Sequence, residues 1–151
     1  MTDQRDNQSV AESVGAHIAE GDLLAKGLGV RLVEIAPGRA TAVMTVRPDM
    51  SNAAGVCHGG ATFTLADTAF GFACNSHGRL ALAQTCTITY TGAARIGDDL
   101  TAVAEEVALV GRSGIYDVTV TDQNGKVVAV FRGQSRQIKG QPTIGSGSFA
   151  P

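Results

Sequence analysis

Apolar residues recur at helical spacing near the start of the chain, over residues 10–26, after a polar leader at residues 1–9. Ser9, followed three residues later by Glu12, has the form of a capping box, which marks the beginning of a helix. Gly27 supplies a stop signal at the other end. The pattern therefore predicts a disordered leader and a first helix from about residue 10 to 26.

The period then changes to two, which is typical of strands. A hairpin with strands near 29–36 and 39–47 is predicted around the Pro37–Gly38 turn. Residues 59–75 are apolar at most positions, and their length and alanine content predict a long helix. Four later segments rich in β-branched residues predict further strands, at 80–92, 99–111, 113–122 and 126–138.

The predicted order is helix, two strands, long helix and four strands. Because strands and helices do not alternate, we expect an α+β fold with a mostly antiparallel sheet and one long helix on its face. A single domain over residues 10–138 is predicted, with a flexible Gly/Pro/Ser-rich tail at 139–151. The run VVAVF at 127–131 is apolar on both faces of its strand, which suggests that another subunit covers the second face.

Composition narrows the class of function. The chain has 151 residues, of which 44% are hydrophobic and 17% charged, and its net charge is -2. This charge balance argues against nucleic acid as the main partner. No apolar run reaches the ~18 residues of a membrane span. We therefore expect a cytoplasmic protein. The three cysteines and three histidines lack the spacing of a zinc site, so no metal site is predicted.

Two adjacent glycines open the long predicted helix. A helix N-terminus presents unpaired N–H groups, which suit an anion or a polarised carbonyl oxygen. At Gly59 and Gly60 no side chain would block a ligand from the backbone. The alternative interpretation is a tight turn that needs a positive φ.

Asp67 is the only charged residue of the same helix. Burying an unpaired carboxylate costs several kcal/mol, so packing does not explain it. In apolar surroundings its pKa would rise, and it could act as a base or a nucleophile. The alternative is that Asp67 lies on a polar strip with Thr64 and Thr68 that faces water.

The spacing of these groups has a consequence for assembly. Asp67 lies eight residues after Gly59, or about 12 Å along a helix. Both groups therefore cannot act on one substrate atom from the same helix, because attack needs a separation of roughly 3 Å. If both groups act together, two antiparallel copies of the helix must meet, which predicts a two-fold dimer with two equivalent sites.

The stretch NAAGVCHGGATFTLAD at residues 52–67 resembles the N-x-x-G-x-x-H-G-G-x-x-x-x-L-A-D signature of hotdog-fold acyl-CoA thioesterases. The later segments CTITY and VFRGQS resemble the phenylacetic-acid-degradation branch of that family. The resemblance covers residues 10–138 and implies the hotdog fold, an antiparallel sheet wrapped around a long central helix, here with an added N-terminal helix. It also implies dimers with one continuous sheet, and commonly homotetramers.

The resemblance implies roles for matching positions. Gly59 would polarise the thioester carbonyl through its N–H, and Asp67 of the other subunit would be the nucleophile or the general base. Asn52 would hold the carbonyl or the water, and His58 would order the loop. The neighbouring Cys57 offers an alternative nucleophile beside His58, but adjacent side chains rarely reach attack geometry.

Further residues are expected to contact the substrate. They are Gly60, Thr68, Thr85, Arg112 and Arg132, with the two arginines placed on phosphates of coenzyme A, which is part of the substrate and not a separate cofactor. Some relatives carry Thr or Ser one turn after the acid to position water, where this chain has Gly71. Water positioning would then fall to Asn52, Thr68 or Thr85.

The expected reaction is the hydrolysis of aryl-acetyl or related acyl-CoA thioesters, with phenylacetyl-CoA or hydroxyphenylacetyl-CoA as substrate. One alternative is a hydratase or dehydratase on the same fold, although the His/Asp or His/Glu spacing of those enzymes is absent. The other is a non-catalytic acyl-CoA-binding or sensing protein.

Overall fold

The computed structural model describes residues 4–140, and its elements follow the predicted order with one addition at the N-terminus. The helices are α1 (Gln4–Gly21), α2 (Leu23–Gly27) and α3 (Gly59–Asn75), and a single 3₁₀ turn covers Pro48–Met50. The strands are β1 (Arg31–Ala36), β2 (Arg39–Thr45), β3 (Ala81–Tyr90), β4 (Asp99–Val110), β5 (Ser113–Thr121) and β6 (Val127–Gln137). None of the helices within residues 4–140 is long and apolar enough to cross a membrane.

The six strands form one antiparallel sheet in the order β1-β2-β4-β5-β6-β3, and α3 contacts all of them. The strands place alternate side chains on the helix side, as their period predicts. Leu65, Phe70 and Phe72 of α3 pack there against Val118 and Phe131 of the sheet. The predicted α+β class and the sheet around a central helix, which the hotdog resemblance implies, are confirmed.

The N-terminal prediction is wrong in two respects. Residues 4–9 are helical and are not a disordered leader, because Gln8 anchors them through Nε2, which donates to the Ile35 carbonyl at 2.9 Å. The helix also divides, because the Asp22 carboxylate accepts a hydrogen bond from the Ala25 N–H at 3.0 Å and caps a separate short helix. Residues 1–3, and positions 141–151 of the predicted tail, lie outside the described residues.

The two edges of the sheet differ. α1 covers the β1 edge, where Gln8 reaches the backbone of Ile35. The outer edge of β3 pairs with no element among residues 4–140, although this strand is ten residues long and Leu82 to Thr85 are exposed. A long unpaired edge is a ready template for pairing with another chain.

The C-terminal end of α3 is fixed by buried polar contacts. The Ser76 hydroxyl, which is fully buried, accepts a hydrogen bond from the Gly38 N–H at 2.7 Å. Glu106 lies at 2.7 Å from both the Tyr116 hydroxyl, which donates to it, and the His77 Nε2. These contacts hold α3 against the β1–β2 turn and the sheet, and so they set the position of Asp67 along the sheet.

Candidate active site

The loop before α3 is built to start that helix at Gly59. His58 is the N-cap, with φ -60° and ψ 133°, and its Nδ1 accepts a hydrogen bond from the Gly60 N–H at 2.9 Å. The His58 N–H donates to the Met50 carbonyl at 2.7 Å, which ties the cap to the 3₁₀ turn. The Cys57 thiol is buried and lies 3.6 Å from the Thr62 hydroxyl and 3.5 Å from the His58 carbonyl, while the His58 Nδ1 is engaged by the Gly60 N–H. These contacts do not support the Cys57–His58 pair as a nucleophilic site.

Gly59 presents the N–H group that the sequence predicted. No acceptor among the described residues bonds its N–H, while the next N–H, that of Gly60, is taken by His58. Neither glycine has a positive φ, so the tight-turn interpretation is wrong, and the positive φ of this loop belongs to Gly55 at 79°. A Cβ on Gly59 would lie 3.0 Å from the Tyr90 ring, so close packing is a second reason for glycine here.

Tyr90 contacts Gly59 at its carbonyl and Cα atoms and not at its N–H group. Its hydroxyl donates to the Gly59 carbonyl at 2.7 Å, while its ring lies against the Gly59 Cα. Sequence reasoning missed this contact. The signal was present, because alternation along β3 puts Tyr90 on the same face as Cys86 and Ile88, towards α3.

Asp67 lies half-buried on the side of α3 that the sheet covers least, which we call the uncovered stripe. This stripe consists of Gly59, Gly60, Phe63, Thr64, Asp67 and Gly71. Burial raises the pKa of the Asp67 carboxyl, and the negative charge of Asp22 adds to the rise. The Cys86 thiol, at 3.8 Å from Oδ1, opposes it by donating a weak hydrogen bond. The alternative prediction, a polar strip of Thr64, Asp67 and Thr68 that faces water, is only partly correct. Thr68 is buried, with 7% exposure, and does not belong to the strip.

Cys86 acts on this carboxylate as a donor. Burial, reinforced by the charge of Asp67, raises the pKa of the Cys86 thiol to about 11. The thiol therefore stays protonated at neutral pH, which suits it to donate a hydrogen bond and not to attack a substrate.

The strand β3 provides a second measure of the distance between the two groups. It contacts α3 at both ends of the site, with Tyr90 at Gly59 and Cys86 at Asp67. The four residue steps from Cys86 to Tyr90 span about 13 Å, close to the ~12 Å of eight helical residues. Within one chain, Gly59 and Asp67 are therefore too far apart to act on one substrate atom.

Of the two polar groups of the Asn52 side-chain amide, only the oxygen forms hydrogen bonds with described residues. Its Oδ1 accepts hydrogen bonds from the N–H groups of Ala54 at 2.9 Å and Val56 at 3.2 Å, which shapes the loop. Its Nδ2 has no partner among residues 4–140 and can donate to a carbonyl or a water. The amide can thus hold a substrate oxygen only through Nδ2.

The other predicted contact residues are dispersed. The N–H of Gly60 is occupied by His58, so it is not available to a substrate. Thr85 pairs with Gln134 on the outer face of the sheet, opposite to Cys86. The structure therefore does not bring Thr85 to the Asp67 of its own chain. Of the three expected water-positioning residues, Thr68 is buried, Thr85 lies on the outer face, and Asn52 offers a free donor in Nδ2.

The two predicted phosphate-binding arginines differ in their surroundings. Arg132 forms a bidentate ion pair with Asp117 on the outer face of the sheet, at 2.6 and 2.8 Å. Arg112, in the β4–β5 turn, is exposed and forms no ion pair with a described residue. Its charge is available to a ligand, whereas that of Arg132 is neutralised by a neighbour. No group of three metal-ligating side chains occurs in the described part of the chain.

Replacing Cys86 tests whether its thiol tunes Asp67. Loss of the donor in Cys86→Ala removes the contact that lowers the pKa of Asp67, so the acid limb of kcat/KM should move to higher pH. Cys86→Ser supplies a stronger donor and should move the same limb to lower pH. The measurement is the pH profile of thioester hydrolysis for both variants. Shifts in the same direction for Ala and Ser would contradict the assignment.

Most of the chain is similar to known proteins. The family model described as thioesterase superfamily matches residues 54–129. The acyl-coenzyme A thioesterase PaaI of Escherichia coli (strain K12) is 44% identical over 124 residues, which cover 82% of this chain and 89% of that protein.

Solved structures give the same result. The structure of the E. coli PaaI protein from the phenylacetic acid degradation operon superposes with a TM-score of 0.87 at 40% identity, covering 89% of this chain and 97% of that one. A protein of Streptococcus mutans UA159, in a crystal structure bound to acetyl CoA, gives a TM-score of 0.70 at 28% identity, covering 72% and 88% of the two chains. The expected enzyme class, a thioester hydrolase on the hotdog fold, is confirmed, and the chain belongs to the thioesterase superfamily.

Proposed function

We propose that this protein hydrolyses acyl-CoA thioesters, with phenylacetyl-CoA or hydroxyphenylacetyl-CoA as its preferred substrate, in the cytoplasm. The observation that carries the proposal is a half-buried carboxylate of raised pKa, Asp67, on a helix that begins with an unpaired N–H at Gly59. The names of the relatives support it, because one is an acyl-CoA thioesterase linked to phenylacetic acid degradation and another was crystallised with acetyl CoA.

In this proposal the thioester carbonyl accepts a hydrogen bond from the Gly59 N–H, at the positive end of the α3 dipole. Asp67 of the other subunit either takes a proton from water, whose oxygen attacks the carbonyl carbon, or attacks that carbon itself. In the first route the C–S bond breaks and the proton passes to the leaving CoA thiolate. In the second, a mixed anhydride forms as the C–S bond breaks and CoA leaves as the thiolate. Water then cleaves the anhydride to the free acid and the Asp67 carboxylate, and the proton that is released neutralises the thiolate. Asn52 contributes a donor through Nδ2.

The shared site requires a homodimer, and two features support one. The outer edge of β3 is long and unpaired in the described part of the chain, so two copies can join their sheets there. The uncovered stripe of α3 carries glycines beside Asp67, which would let a second α3 approach closely in the antiparallel direction. We propose that such dimers associate further into homotetramers.

An aryl-acetyl group is favoured by the surroundings of Asp67. Gly71 lies one helical turn further along the uncovered stripe, and a Cβ there would meet nothing within 4 Å. Phe63 stands on the same stripe, half-buried, with its ring edge-on to Phe131 at 5.5 Å. Space for a flat ring is thus available over Gly71, and apolar and aromatic contact is available beside Phe63, about 12 Å away along the helix.

The substrate proposal is tested by measuring CoA release from a panel of thioesters with a thiol reagent. We expect the highest kcat/KM for phenylacetyl-CoA and its hydroxylated forms, with acetyl-CoA and a long-chain acyl-CoA as comparisons. A higher kcat/KM for either comparison would refute the aryl preference. Binding of the thioesters without any release of CoA would instead support a non-catalytic acyl-CoA-binding protein.

Mixing two inactive variants tests the shared site. One variant, Asp67→Asn, lacks the acid, and the other, Gly59→Pro, lacks the N–H donor. After subunit exchange at equal amounts, half of the dimers are mixed, and each mixed dimer holds one intact site, so activity should return to about a quarter of the wild-type level. The measurement is hydrolysis before and after exchange. No recovery despite demonstrated exchange, or full activity in a monomer, would contradict the shared site.

A further inference from the structure

The two N-terminal helices, α1 and α2, lie beside α3 and follow it in the opposite direction. Near the beginning of α1, Val10 packs against Gly78, just beyond the end of α3, because a Cβ on Gly78 would lie 2.8 Å from the Val10 Cγ1. After α2, the Gly27 carbonyl accepts a hydrogen bond from the Arg47 guanidinium at 3.0 Å. Arg47 begins the 3₁₀ turn that binds the N–H of His58, the N-cap of α3. The path of α1 and α2 therefore leads from the C-terminal to the N-terminal end of α3.

This arrangement places the junction between α1 and α2 at the level of Asp67. Asp22, the residue between the two helices, follows Val10 by twelve residues, and Asp67 precedes Gly78 by eleven. At helical rise both lie about 16–18 Å from the contact of Val10 with Gly78. α1 contacts α3 directly and covers the β1 edge of the sheet, whereas β3 forms the other edge. The uncovered stripe of α3 is thus flanked by β3 on one side and by the α1–α2 junction on the other.

The carboxylate of Asp22 is held in place, and its charge is not neutralised. Its Oδ1 accepts a hydrogen bond from the Ala25 N–H at 3.0 Å, while its other oxygen has no hydrogen-bond partner among residues 4–140. The residue is partly buried, and it forms no ion pair with any residue that the structure describes. The nearest cations in sequence are engaged elsewhere, because Arg47 pairs with Asp49 and the Lys26 Nζ donates to a backbone carbonyl of α1.

Ionisable groups from both flanks of the uncovered stripe act on Asp67. Burial is the largest cause of its raised pKa, the Cys86 thiol of β3 lowers that pKa by a hydrogen bond, and the charge of Asp22 raises it. On α3 itself, burial raises the pKa of the Cys74 thiol to about 12, so this group carries no charge at neutral pH. Asp22 is therefore the one negative charge among the described groups that act on Asp67.

We propose that Asp22 is a positioning residue of the active site whose negative charge makes Asp67 more basic, an inference that rests on the proposed function. A carboxylate beside a second negative charge holds a proton more firmly, because protonation relieves the repulsion. The ionised Asp67 therefore takes a proton from water more readily, and a direct attack by its oxygen gains in the same way. Asp22 contacts neither the water nor the thioester. The N-terminal helices thus contribute to the chemistry of α3 and not only to its packing.

The test removes the charge of Asp22 and keeps its cap, since asparagine caps a helix as well as aspartate does. For Asp22→Asn we expect the acid limb of kcat/KM for phenylacetyl-CoA to move to lower pH, because Asp67 then ionises more readily. The plateau value of kcat should fall by less than the ~10²-fold that loss of a positioned base costs. Asp22→Ala lacks both the charge and the cap, so it should move the limb by the same amount and also lower Tm.

Glu20→Gln is the matched control, because it removes the same charge from an exposed position in the last turn of α1. It should leave the acid limb at the wild-type pH. An unchanged limb in Asp22→Asn, a shift to higher pH, or an equal shift in Glu20→Gln would overturn the proposal while leaving the thioesterase function intact. If wild type hydrolyses no thioester, the proposed function fails instead. NMR titration of the Asp67 carboxyl group then decides the role of Asp22: a lower pKa in Asp22→Asn supports it, and an equal pKa overturns it.

Discussion

Replacing Asp67 with asparagine is expected to lower kcat for thioester hydrolysis by about 10³-fold, since a positioned acid or base contributes 10²–10⁴-fold. The amide has nearly the same shape as the carboxyl group, but it can neither take a proton from water nor attack the carbonyl carbon. Its nitrogen can also still reach the neighbourhood of Cys86. The loss would therefore report the chemistry of the carboxylate and not its packing.

The stability of Asp67→Asn should stay the same or increase, although its activity falls. Because burial raises the pKa of Asp67, the folded state binds more protons than the unfolded state between the ordinary pKa of an aspartate and the raised one. The free energy of unfolding therefore falls as pH rises through that window, and the ionised carboxylate destabilises the fold above it. Asn avoids this cost, so thermal unfolding at neutral pH should show an unchanged or higher Tm.

A control variant tests whether the loss of activity depends on position 67 or follows from the loss of any carboxylate. Glu34→Gln makes the same change of carboxylate to amide on an exposed position of β1, and it should keep wild-type activity. Equal rates of CoA release from wild type and Asp67→Asn would show that the carboxylate is not catalytic. A large drop in Tm for Asp67→Asn would show that the residue is structural.

Gly59→Pro is expected to lower kcat by about 10²–10³-fold relative to Gly59→Ala, the range found for loss of one oxyanion donor. Gly59 is the first residue of α3, and its N–H makes no hydrogen bond within the helix. Proline is favoured at this position, because it removes only a donor that the helix does not use. The φ and ψ of His58, -60° and 133°, are also those that a residue before proline adopts.

Alanine is the matched control for this substitution. Both variants add a Cβ at 3.0 Å from the Tyr90 ring, so both carry the same steric cost at that contact. Only proline removes the N–H group. Steady-state kinetics with phenylacetyl-CoA, together with thermal unfolding of both variants, measures the difference. If the two variants hydrolyse the thioester at the same rate, the Gly59 N–H does not polarise the carbonyl.

The sequence predicted α3 to the residue, because the length and alanine content of this apolar segment favour a helix over a strand. The hairpin and the four later strands were predicted to within about two residues, which is the usual uncertainty of element ends. The N-terminal helix was placed less well. Its true start depends on the contact of Gln8 with β1, which local capping signals cannot show.

The sequence predicted Asp67 and the N-terminus of α3 as parts of the site. A single acid in an apolar helix and two glycines at the start of that helix are both unfavourable for ordinary packing. The sequence also determined that they cannot meet within one chain, since helical rise alone separates Gly59 from Asp67 by about 12 Å.

The tertiary structure decided which other groups surround them, because Cys86 and Tyr90 come from β3, which must fold back along α3 to reach these residues. Their approach to α3 and to one another follows from sheet order and register, which hydrophobic periodicity does not specify. For the same physical reason Thr85 and Arg132 were placed at the site by residue type, whereas alternation along their strands directs both to the outer face.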